Sequence, residues 1–507
     1  MIKNSQIMSN KKFNMNPDVL VSHLQKARQE FTKDDIIKFV DEFGIEMLNF
    51  RYLAEDGKLK VLNFIITSQE HLESILNCGE RVDGSSLFSF ISAGSSDLYV
   101  VPRFRTAFVN PFEEVATLEI FCSFYDAEGK PLASSPENIL KNAHNALKKS
   151  TGYSFKCMGE LEYYISAPKD GIYRAPEQKG YHESSPYVKW EGLRREALLL
   201  IAECGGKIKY GHTEVGSFVA EGYSYEQHEI EFMPVDPEEA VVQLLMAKWI
   251  IRKLAARDGA LVSWAPKIIE GNAGSGLHVH MQLEKDGKNI CIEDGKLSDP
   301  ARKAISGILE LATGLTAFGN TIPTSYLRLV PHQEAPTYVC WGDRNRSVLV
   351  RVPLGWTSGV DMIKDANPFD GASASASGKQ TFEFRVPDGS ADLYLLVAGL
   401  IVGCKHGLEK ADALDEAERL YAPVDIFCDT YKDKLESLEQ LPGSCFDSAD
   451  CLEEKRAFFE EDGIFPAGII DAVIKNLKAH NDKGLNERLL GKSKETMEVV
   501  QKFIHCQ

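Results

Sequence analysis

The sequence contains no apolar segment long enough to span a membrane. Its longest apolar run, LYLLVAGLIVGC, covers residues 393–404, whereas a membrane-spanning helix needs about 20 such residues. The polar N-terminal residues MIKNSQIMSNKKF also lack the apolar core of a signal peptide. We therefore expect a cytoplasmic protein in which residues 393–404 form a buried helix.

Paired cysteines, an excess of basic residues and nucleotide-binding glycine motifs are also missing. The 11 cysteines form no CxxC pair, which favours reduced thiols over a disulfide framework. The formal net charge of −17 argues against a general nucleic-acid-binding protein, because such a protein needs a basic face. Neither a Walker lysine motif nor GxGxxG occurs, so any bound nucleotide must be held by other groups.

The chain of 507 residues is long enough for two or three domains. Helical patterning within 17–43, a hairpin of strands within 45–67, a loop at 81–86 and strands within 98–125 predict a small mixed domain. A helix from about residue 137 opens a larger domain whose last ~100 residues are mainly helical. We predict a leader and helix start at 1–34, a small domain at 35–130 and a large domain at 131–507.

The segment 272–280, NAGSGLHVH, joins a glycine-rich loop to an alternating strand. In a strand, successive side chains point to opposite faces, so His278 and His280 share one face. The same spacing of two residues places charged pairs on one face of three other predicted strands. These pairs are Glu160 with Glu162, Glu229 with Glu231, and Glu383 with Arg385, and Glu214 adds one more carboxylate.

If these charged faces converge, the carboxylates repel each other and need compensation. Divalent cations supply it, and a set of carboxylates with an imidazole suits Mg²⁺ or Mn²⁺ better than zinc. The same half of the chain carries several arginines, whose guanidinium groups match carboxylates and phosphates. A solvated arginine face is the alternative interpretation of this cluster, which comprises Arg328, Arg344, Arg346, Arg351 and Arg385.

Nine motifs in a fixed order make the chain resemble the type I glutamine synthetase family from about residue 35 onward. The motifs are VDGSS at 82–86, GELEYY at 159–164, KGY at 179–181, GHTEV at 211–215, QHEIEF at 227–232, GSGLHVHMQL at 274–283, SYLRLVPHQEAP at 325–336, DRNRSVLVRVP at 343–353 and FEFRVPDGSADLY at 382–394.

The resemblance implies an α+β fold, with an N-terminal β-grasp domain at 35–130 and a glutamine synthetase catalytic domain at 131–507. The catalytic domain is expected to be a curved antiparallel sheet with helices. A homo-oligomer is also implied, namely a dodecamer of two hexameric rings with each active site between neighbouring subunits. Neither nucleic acid nor a membrane is an expected partner.

The resemblance also implies roles for individual residues. Glu162, Glu214 and Glu229 correspond to the ligands of one metal ion, and Glu160, His278 and Glu383 to those of a second. Glutamate-binding and lid residues are Gly274, Arg328, Glu334 and Arg385, while Arg346 and Arg351 contact the transferring phosphoryl group. The ammonium pocket is formed by Tyr181, Glu214 and a neighbouring subunit's Asp83 and Ser86. His280 supports the metal site or contacts the nucleotide.

The implied reaction joins ammonia to L-glutamate with ATP as co-substrate and two or more Mg²⁺ or Mn²⁺ ions per site, through γ-glutamyl phosphate. Two alternatives remain open at this point: a γ-glutamyl ligase that uses an organic amine, and a scaffold that has lost catalysis. One departure from the family concerns substrate binding. The family usually has an asparagine that helps to hold glutamate where this chain has Ala273.

Overall fold

The computed structural model describes residues 15–92, 94, 96–171, 175–330, 335–353, 362–369 and 378–506. Within these ranges the chain forms an N-terminal α+β domain and a larger domain on a second sheet. The predicted α+β class is confirmed.

The N-terminal domain is a mixed sheet covered by helices. Its helices are α1 (Val19–Leu24), α2 (Lys33–Phe43) and α3 (Gln69–Cys78), and its strands are β1 (Met47–Leu53), β2 (Leu59–Ile65), β3 (Glu80–Asp83), β4 (Asp97–Pro102), β5 (Phe108–Val109) and β6 (Thr117–Tyr125). The sheet order is β2-β1-β6-β4-β3, with β5 on β6, and β1 runs parallel to β6.

Local sequence signals explain most of these boundaries. Thr32 caps α2 through a reciprocal capping box with Asp35. The predicted hairpin of β1 and β2 is confirmed, and Gly57 takes the positive φ of 70° that its turn requires. The predicted loop at 81–86 is wrong in its first half. Residues 80–83 pair with β4 as strand β3, and only Gly84–Ser86 forms a turn of 3₁₀-helix.

A buried carboxylate ties the strands of this domain together. Glu119 on β6 is fully buried and accepts hydrogen bonds from Asn49, Arg51 and Asn110. Because a buried carboxylate without partners would be strongly destabilising, these three donors fix the register of β1 against β6.

The N-terminal core extends further toward the N-terminus than residue 35. Leu20 and Leu24 of α1 are buried in the same apolar cluster as the β-sheet side chains. Leu53, Phe108 and Phe121 instead belong to the core of the larger domain. The two domains therefore share apolar contacts within one chain, and the division at residues 34 and 130 stays a prediction.

The larger domain is organised around a mainly antiparallel sheet. Its strands are β7 (Ser154–Pro168), β8 (Ile208–Ala220), β9 (Tyr223–Phe232), β10 (Leu261–Ser263), β11 (Leu277–Lys285), β12 (Lys288–Asn289), β13 (Ile292–Glu293), β14 (Lys296–Leu297), β15 (Trp341–Asp343), β16 (Val350–Val352) and β17 (Phe382–Phe384). The main sheet has the order β15-β16-β17-β11-β7-β9-β8, and among the described strands of this sheet only the β15–β16 pair is parallel.

Helices pack against one face of this sheet and make up most of the C-terminal part. They are α4 (Pro136–Thr151), α5 (Glu191–Glu203), α6 (Pro237–Arg257), α7 (Asp299–Gly319), α8 (Pro323–Arg328), α9 (Met362–Ala366), α10 (Leu393–Glu409), α11 (Ala413–Arg419), α12 (Lys432–Leu435), α13 (Cys445–Glu460), α14 (Ala467–Ala479), α15 (Leu485–Leu489) and α16 (Ser493–Phe503).

The predicted buried helix at 393–404 is confirmed as the first part of α10. It packs on α7 at a point where Gly307 faces Gly403 and Gly407, and a Cβ atom at Gly307 would overlap the backbone of α10. Among the described residues, no helix combines the length and apolar composition needed to cross a membrane.

Candidate active site

The charged residues of the large sheet lie on one face, in rows set by the strand register. His278 on β11 opposes Glu160 on β7, which in turn opposes Glu231 on β9. In the next row, Glu162 opposes Glu229, which opposes His212 on β8. On the other side of β11, His280 opposes Glu383, which opposes Arg351.

The opposite face of the same strands is apolar. Leu161, Ile230, Leu277, Val279 and Met281 are all buried in the large core. The alternation predicted from the sequence is therefore present in the folded sheet, and burial of this apolar face fixes the register that assembles the charged one.

Two imidazoles converge on Glu160. His278 Nδ1 lies 2.9 Å from Glu160 Oε2, and His280 Nε2 lies 2.7 Å from Glu160 Oε1. Glu383 joins them, because its Oε1 is 3.3 Å from His278 Nδ1 and its Oε2 is 3.9 Å from His280 Nε2. Ligand atoms of Glu160, His280 and Glu383 all lie within 4.8 Å of one another, so they could share a metal ion.

A second group forms beside the first. Ligand atoms of His212, Glu214 and Glu229 also lie within 4.8 Å of one another, and so do those of Glu160, Glu229 and Glu231. Glu162 lies between the two groups, with its Oε1 3.9 Å from His278 Nε2. The structure thus brings together the six residues predicted as metal ligands, namely Glu160, Glu162, Glu214, Glu229, His278 and Glu383.

The electrostatics of the cluster fit a bound cation. Burial raises the pKa of Glu229 well above its usual value, and the neighbouring Glu160, Glu162, Glu214 and Glu231 raise it further. Burial also opposes ionisation of Glu160, but His280 and His278 outweigh it and hold its pKa well below the usual range. Glu229 is therefore surrounded mainly by other carboxylates. Carboxylate oxygens are the ligands that Mg²⁺ and Mn²⁺ prefer.

Two residues of this cluster were not among the predicted site residues. Glu231 accepts hydrogen bonds from the Tyr210 hydroxyl and from Lys209 Nζ, the latter at 2.5 Å. His212 lies 3.8 Å from Glu214 Oε1 and 3.9 Å from Glu229 Oε1. Both residues share the spacing of two with predicted ligands, and this signal is visible in QHEIEF and GHTEV.

Glu214 is positioned by an irregularity in β8. The pairing of β8 with β9 shifts register between Thr213 and Ser217. Over this stretch β8 pairs instead with residues 178–182, since the amides of Gln178, Gly180 and His182 donate to the carbonyls of Ser217, Val215 and Thr213. This pairing places Tyr181 beside Glu214, and the charge of Glu214 adds to burial in raising the pKa of Tyr181.

Three aromatic rings line this part of the site. The Tyr181 and His182 rings stack with centroids 4.2 Å apart, and His182 lies 4.4 Å from His212. Tyr181 is 52% exposed, so the stack borders an open surface rather than the core.

The glycine-rich loop before β11 is held by a network of amides and hydroxyls. Gln227 accepts from Gly216 N and donates to the Gly274 carbonyl at 2.9 Å and to Glu162 at 3.3 Å. The Tyr164 hydroxyl donates to the Ala273 carbonyl, and Gly276 N donates to Glu162 at 2.8 Å. Gln227 was not predicted as a site residue, yet it connects β7, β8 and the loop.

The predicted arginines surround the Glu383 side of the cluster. Arg351 Nη1 and Arg385 Nε lie 3.0 Å and 3.2 Å from the Glu383 carboxylate. Arg328 is buried, with Nη2 3.4 Å from His278 Nε2. Arg346 is exposed and lies near Tyr181. The positive charge of Arg346 lowers the pKa of Tyr181, but burial of Tyr181 raises that pKa by more.

Two predicted residues lie outside this arrangement, and one lies outside the described residues. Asp83 ends strand β3, where it pairs with Asp97 of β4, and its exposed carboxylate accepts hydrogen bonds from Ser86 and Ser85. Hydrogen bonds from Ser86 and Ser85 lower the pKa of Asp83 to about 2. Glu334 is among the residues that the structure does not describe.

Comparisons with known proteins agree over nearly the whole chain. The family model "Glutamine synthetase, beta-Grasp domain" matches residues 44–127, and "Glutamine synthetase, catalytic domain" matches residues 133–483. The glutamine synthetase of Clostridium saccharobutylicum is 30% identical over 434 residues, covering 84% of this chain and 90% of the relative. That of Frankia alni is 30% identical over 480 residues, covering 87% and 94%.

Solved structures share the fold at lower identity. A cryo-EM structure of Plasmodium falciparum glutamine synthetase has a TM-score of 0.74 at 20% identity, covering 89% of this chain and 96% of that one. A structure of apo GmaS has a TM-score of 0.70 at 20% identity, covering 88% and 96%.

Proposed function

Because this chain belongs to the glutamine synthetase family of ligases, we propose that it joins ammonia to L-glutamate and converts ATP to ADP and phosphate. The observation that carries the proposal is the convergence of carboxylates from strands β7, β8, β9 and β17 with two histidines of β11 on one sheet face. Such a concentration of buried negative charge lowers the stability of the folded protein unless a bound cation compensates it.

The carboxylate cluster is assigned to divalent cations, Mg²⁺ or Mn²⁺, with two or more per site. Glu162, Glu214 and Glu229 would hold one ion, and Glu160, His278 and Glu383 the other, with His280 next to Glu160. When bound, these ions offset the negative charge that develops on phosphate oxygens during phosphoryl transfer.

The arginines are assigned to the anionic substrates. Arg328, beside His278 and the Gly274 loop, is assigned to a carboxylate of glutamate. Arg346 and Arg351 are assigned to the transferring phosphoryl group, and Arg385, which with Arg351 contacts Glu383, is assigned to the glutamate-binding and lid residues. Attack of the glutamate γ-carboxylate on the ATP γ-phosphate gives γ-glutamyl phosphate and ADP. Glu334 is assigned to the lid that keeps water from this intermediate.

The ammonium ion is assigned to the side of the cluster that holds Glu214 and Tyr181. A carboxylate and an aromatic ring together suit a small cation. Asp83, whose low pKa keeps it ionised at neutral pH, is assigned to this pocket from a neighbouring subunit together with Ser86. Its carboxylate attracts ammonium and is assigned to accept a proton from it. Ammonia then attacks the acyl carbon of γ-glutamyl phosphate, the bond from that carbon to the phosphate oxygen breaks, and phosphate leaves as glutamine forms.

This assignment requires an assembly in which subunits share active sites, and a dodecamer of two hexameric rings is proposed. The support within one chain is that Asp83 and Ser86 are exposed at the end of β3 and lie outside the carboxylate cluster of the large sheet.

A second candidate is a γ-glutamyl ligase that accepts an organic amine. The observation that favours it is the stack of Tyr181, His182 and His212 beside Glu214, since aromatic faces attract alkylammonium groups. The exposed side of Tyr181 leaves room for a substituent on the amine.

One assay separates the candidates: ADP release from ATP with L-glutamate and Mg²⁺, compared with ammonium, a panel of primary amines and no amine. Glutamine formation with ammonium, identified by mass, is expected. Turnover with an organic amine but not with ammonium would support the second candidate and refute the first. An intact oligomer without turnover under any of these conditions would refute both.

A further inference from the structure

Gln178 is held in an unusual conformation at the edge of the site. Its φ of 54° lies in the left-handed region, which costs free energy for a residue other than glycine. The backbone N–H of Gln178 donates to the Ser217 carbonyl at 2.9 Å. This hydrogen bond lies at the end of the pairing between residues 178–182 and the irregular part of β8. The backbone therefore presents the Gln178 side chain in a fixed direction, toward the loop before β11.

The side-chain amide of Gln178 has one satisfied end and one unsatisfied end. Its Oε1 accepts a hydrogen bond from Ala273 N at 2.9 Å. Exchanging the two amide atoms would set Nε2 against the Ala273 N–H, two donors facing each other, so the orientation is determined. Nε2 is shielded from solvent, and no hydrogen-bond partner for it exists among the described residues. A buried donor left without an acceptor destabilises the folded protein.

The acceptors of the nearby loop are already engaged by other donors. The Ala273 carbonyl accepts from Tyr164, and the Gly274 carbonyl accepts from Gln227. Ala273 itself ends in a methyl group, which offers no polar partner. The loop leaves Nε2 without a partner, and a carboxylate oxygen of a bound substrate is a strong acceptor that would satisfy it.

We propose that Gln178 is a substrate-binding residue whose Nε2 donates a hydrogen bond to a carboxylate oxygen of glutamate beside Ala273 and Gly274. This inference rests on the proposed function, in which glutamate occupies this side of the carboxylate cluster. Gln178 thus has two roles, since Oε1 holds the loop and Nε2 binds the substrate.

The variant Gln178→Glu separates these roles. The introduced glutamate side chain retains an oxygen that accepts a hydrogen bond from Ala273 N, so the loop stays in place. The substitution removes the Nε2 donor that would contact the substrate. We expect the KM for L-glutamate to rise at least about tenfold, with the KM for ATP within about twofold of the wild-type value. The increase in melting temperature that L-glutamate produces in the wild-type protein should shrink in parallel.

Lys179→Gln is the matched control. It lies one residue away, is exposed, and changes the net charge by the same amount as Gln178→Glu. Its KM for L-glutamate should stay within about twofold of the wild-type value, which separates a lost hydrogen bond from a general charge effect.

The outcomes are distinguishable from a failure of the proposed function. If the wild-type oligomer shows neither glutamate-dependent ADP release nor a glutamate-induced thermal shift, the proposed function is wrong. If the wild-type protein shows both and Gln178→Glu leaves both unchanged, Nε2 does not contact the substrate and the inference is overturned. An equal rise in KM for Lys179→Gln would also overturn it.

Discussion

Glu162 and Glu229 stand directly opposite each other on the neighbouring strands β7 and β9. Like charges at opposing positions destabilise a sheet, and here the row beside them repeats the arrangement with Glu160 and Glu231. The sheet is thus built with a repulsion at its centre that a bound cation would relieve, and most of the predictions rest on this pair.

Mg²⁺ should stabilise the folded protein. A ligand that binds only the folded state at about 100 times its Kd adds about 2.7 kcal/mol to the free energy of unfolding. We therefore expect Mg²⁺ to raise the melting temperature and EDTA to reverse the rise. Glu162→Gln should lose most of this response and reduce glutamate-dependent ADP release at least about 100-fold. The surface variant Glu196→Gln should keep both properties, and a Mg²⁺ response unchanged in Glu162→Gln would contradict the ligand assignment.

The metal-free protein should lose stability as the pH rises. Burial and the charges of Glu160, Glu162, Glu214 and Glu231 raise the pKa of Glu229, so the folded protein retains a proton that the unfolded chain has released. The free energy of unfolding therefore falls from the unfolded pKa of about 4.3 upward until the folded pKa is passed. Urea midpoints in EDTA from about pH 5 to about pH 9 measure this decline.

Two changes should flatten that decline. Saturating Mg²⁺ replaces the proton, and Glu229→Gln removes the titrating group. A decline of the same size in EDTA-treated Glu229→Gln would show that another group causes it.

Gly216 should resist substitution because two hydrogen-bonding side chains pack against it. A Cβ atom there would overlap the Tyr164 hydroxyl and lie 2.6 Å from Gln227 Oε1, and both side chains hold the loop at 273–275. Gly216→Ala should lower stability by about 1–3 kcal/mol and raise the KM for glutamate.

Gly192→Ala is the control for this substitution. Gly192 lies in helix α5 with open space around its Cβ position, so alanine should be neutral or stabilising by up to about 1 kcal/mol. Equal melting temperatures for Gly216→Ala and the wild-type protein would contradict the predicted overlap.

Asp83 and Glu162 should complement each other between subunits. Asp83→Asn and Glu162→Ala are each expected to abolish most activity, the first through the ammonium pocket and the second through the metal site. When the two variants are refolded or co-expressed as mixed oligomers in equal amounts, about a quarter of the shared sites regain both native residues. Activity near that fraction of the wild-type rate is expected. A complete absence of activity in the mixed oligomers would indicate that each site is built from a single chain.

Much of the local structure of this protein follows from its sequence. The spacing of two residues in LHVH, ELE, HEIE and FEFR sets charged side chains on one face of each strand and apolar ones on the other, because strand geometry permits no other arrangement. The apolar run at 393–404 required burial, and Asp56-Gly57 required a turn. These features depend only on local geometry and the hydrophobic effect, so they could be predicted without coordinates.

The identity of neighbouring strands, and therefore of the charges that meet, became clear from the folded chain. The order β17-β11-β7-β9-β8 brings Glu231 and His212 into the cluster and places His280 as close to Glu160 as His278, distinctions that no single strand contains. The irregular stretch of β8 pairs with residues 178–182, which sets Gln178 against Ala273 across 95 positions of sequence. Such contacts depend on the packing of distant segments. The sequence could therefore mark Ala273 as a missing asparagine, but it could not predict that the side-chain amide of Gln178 lies against this residue.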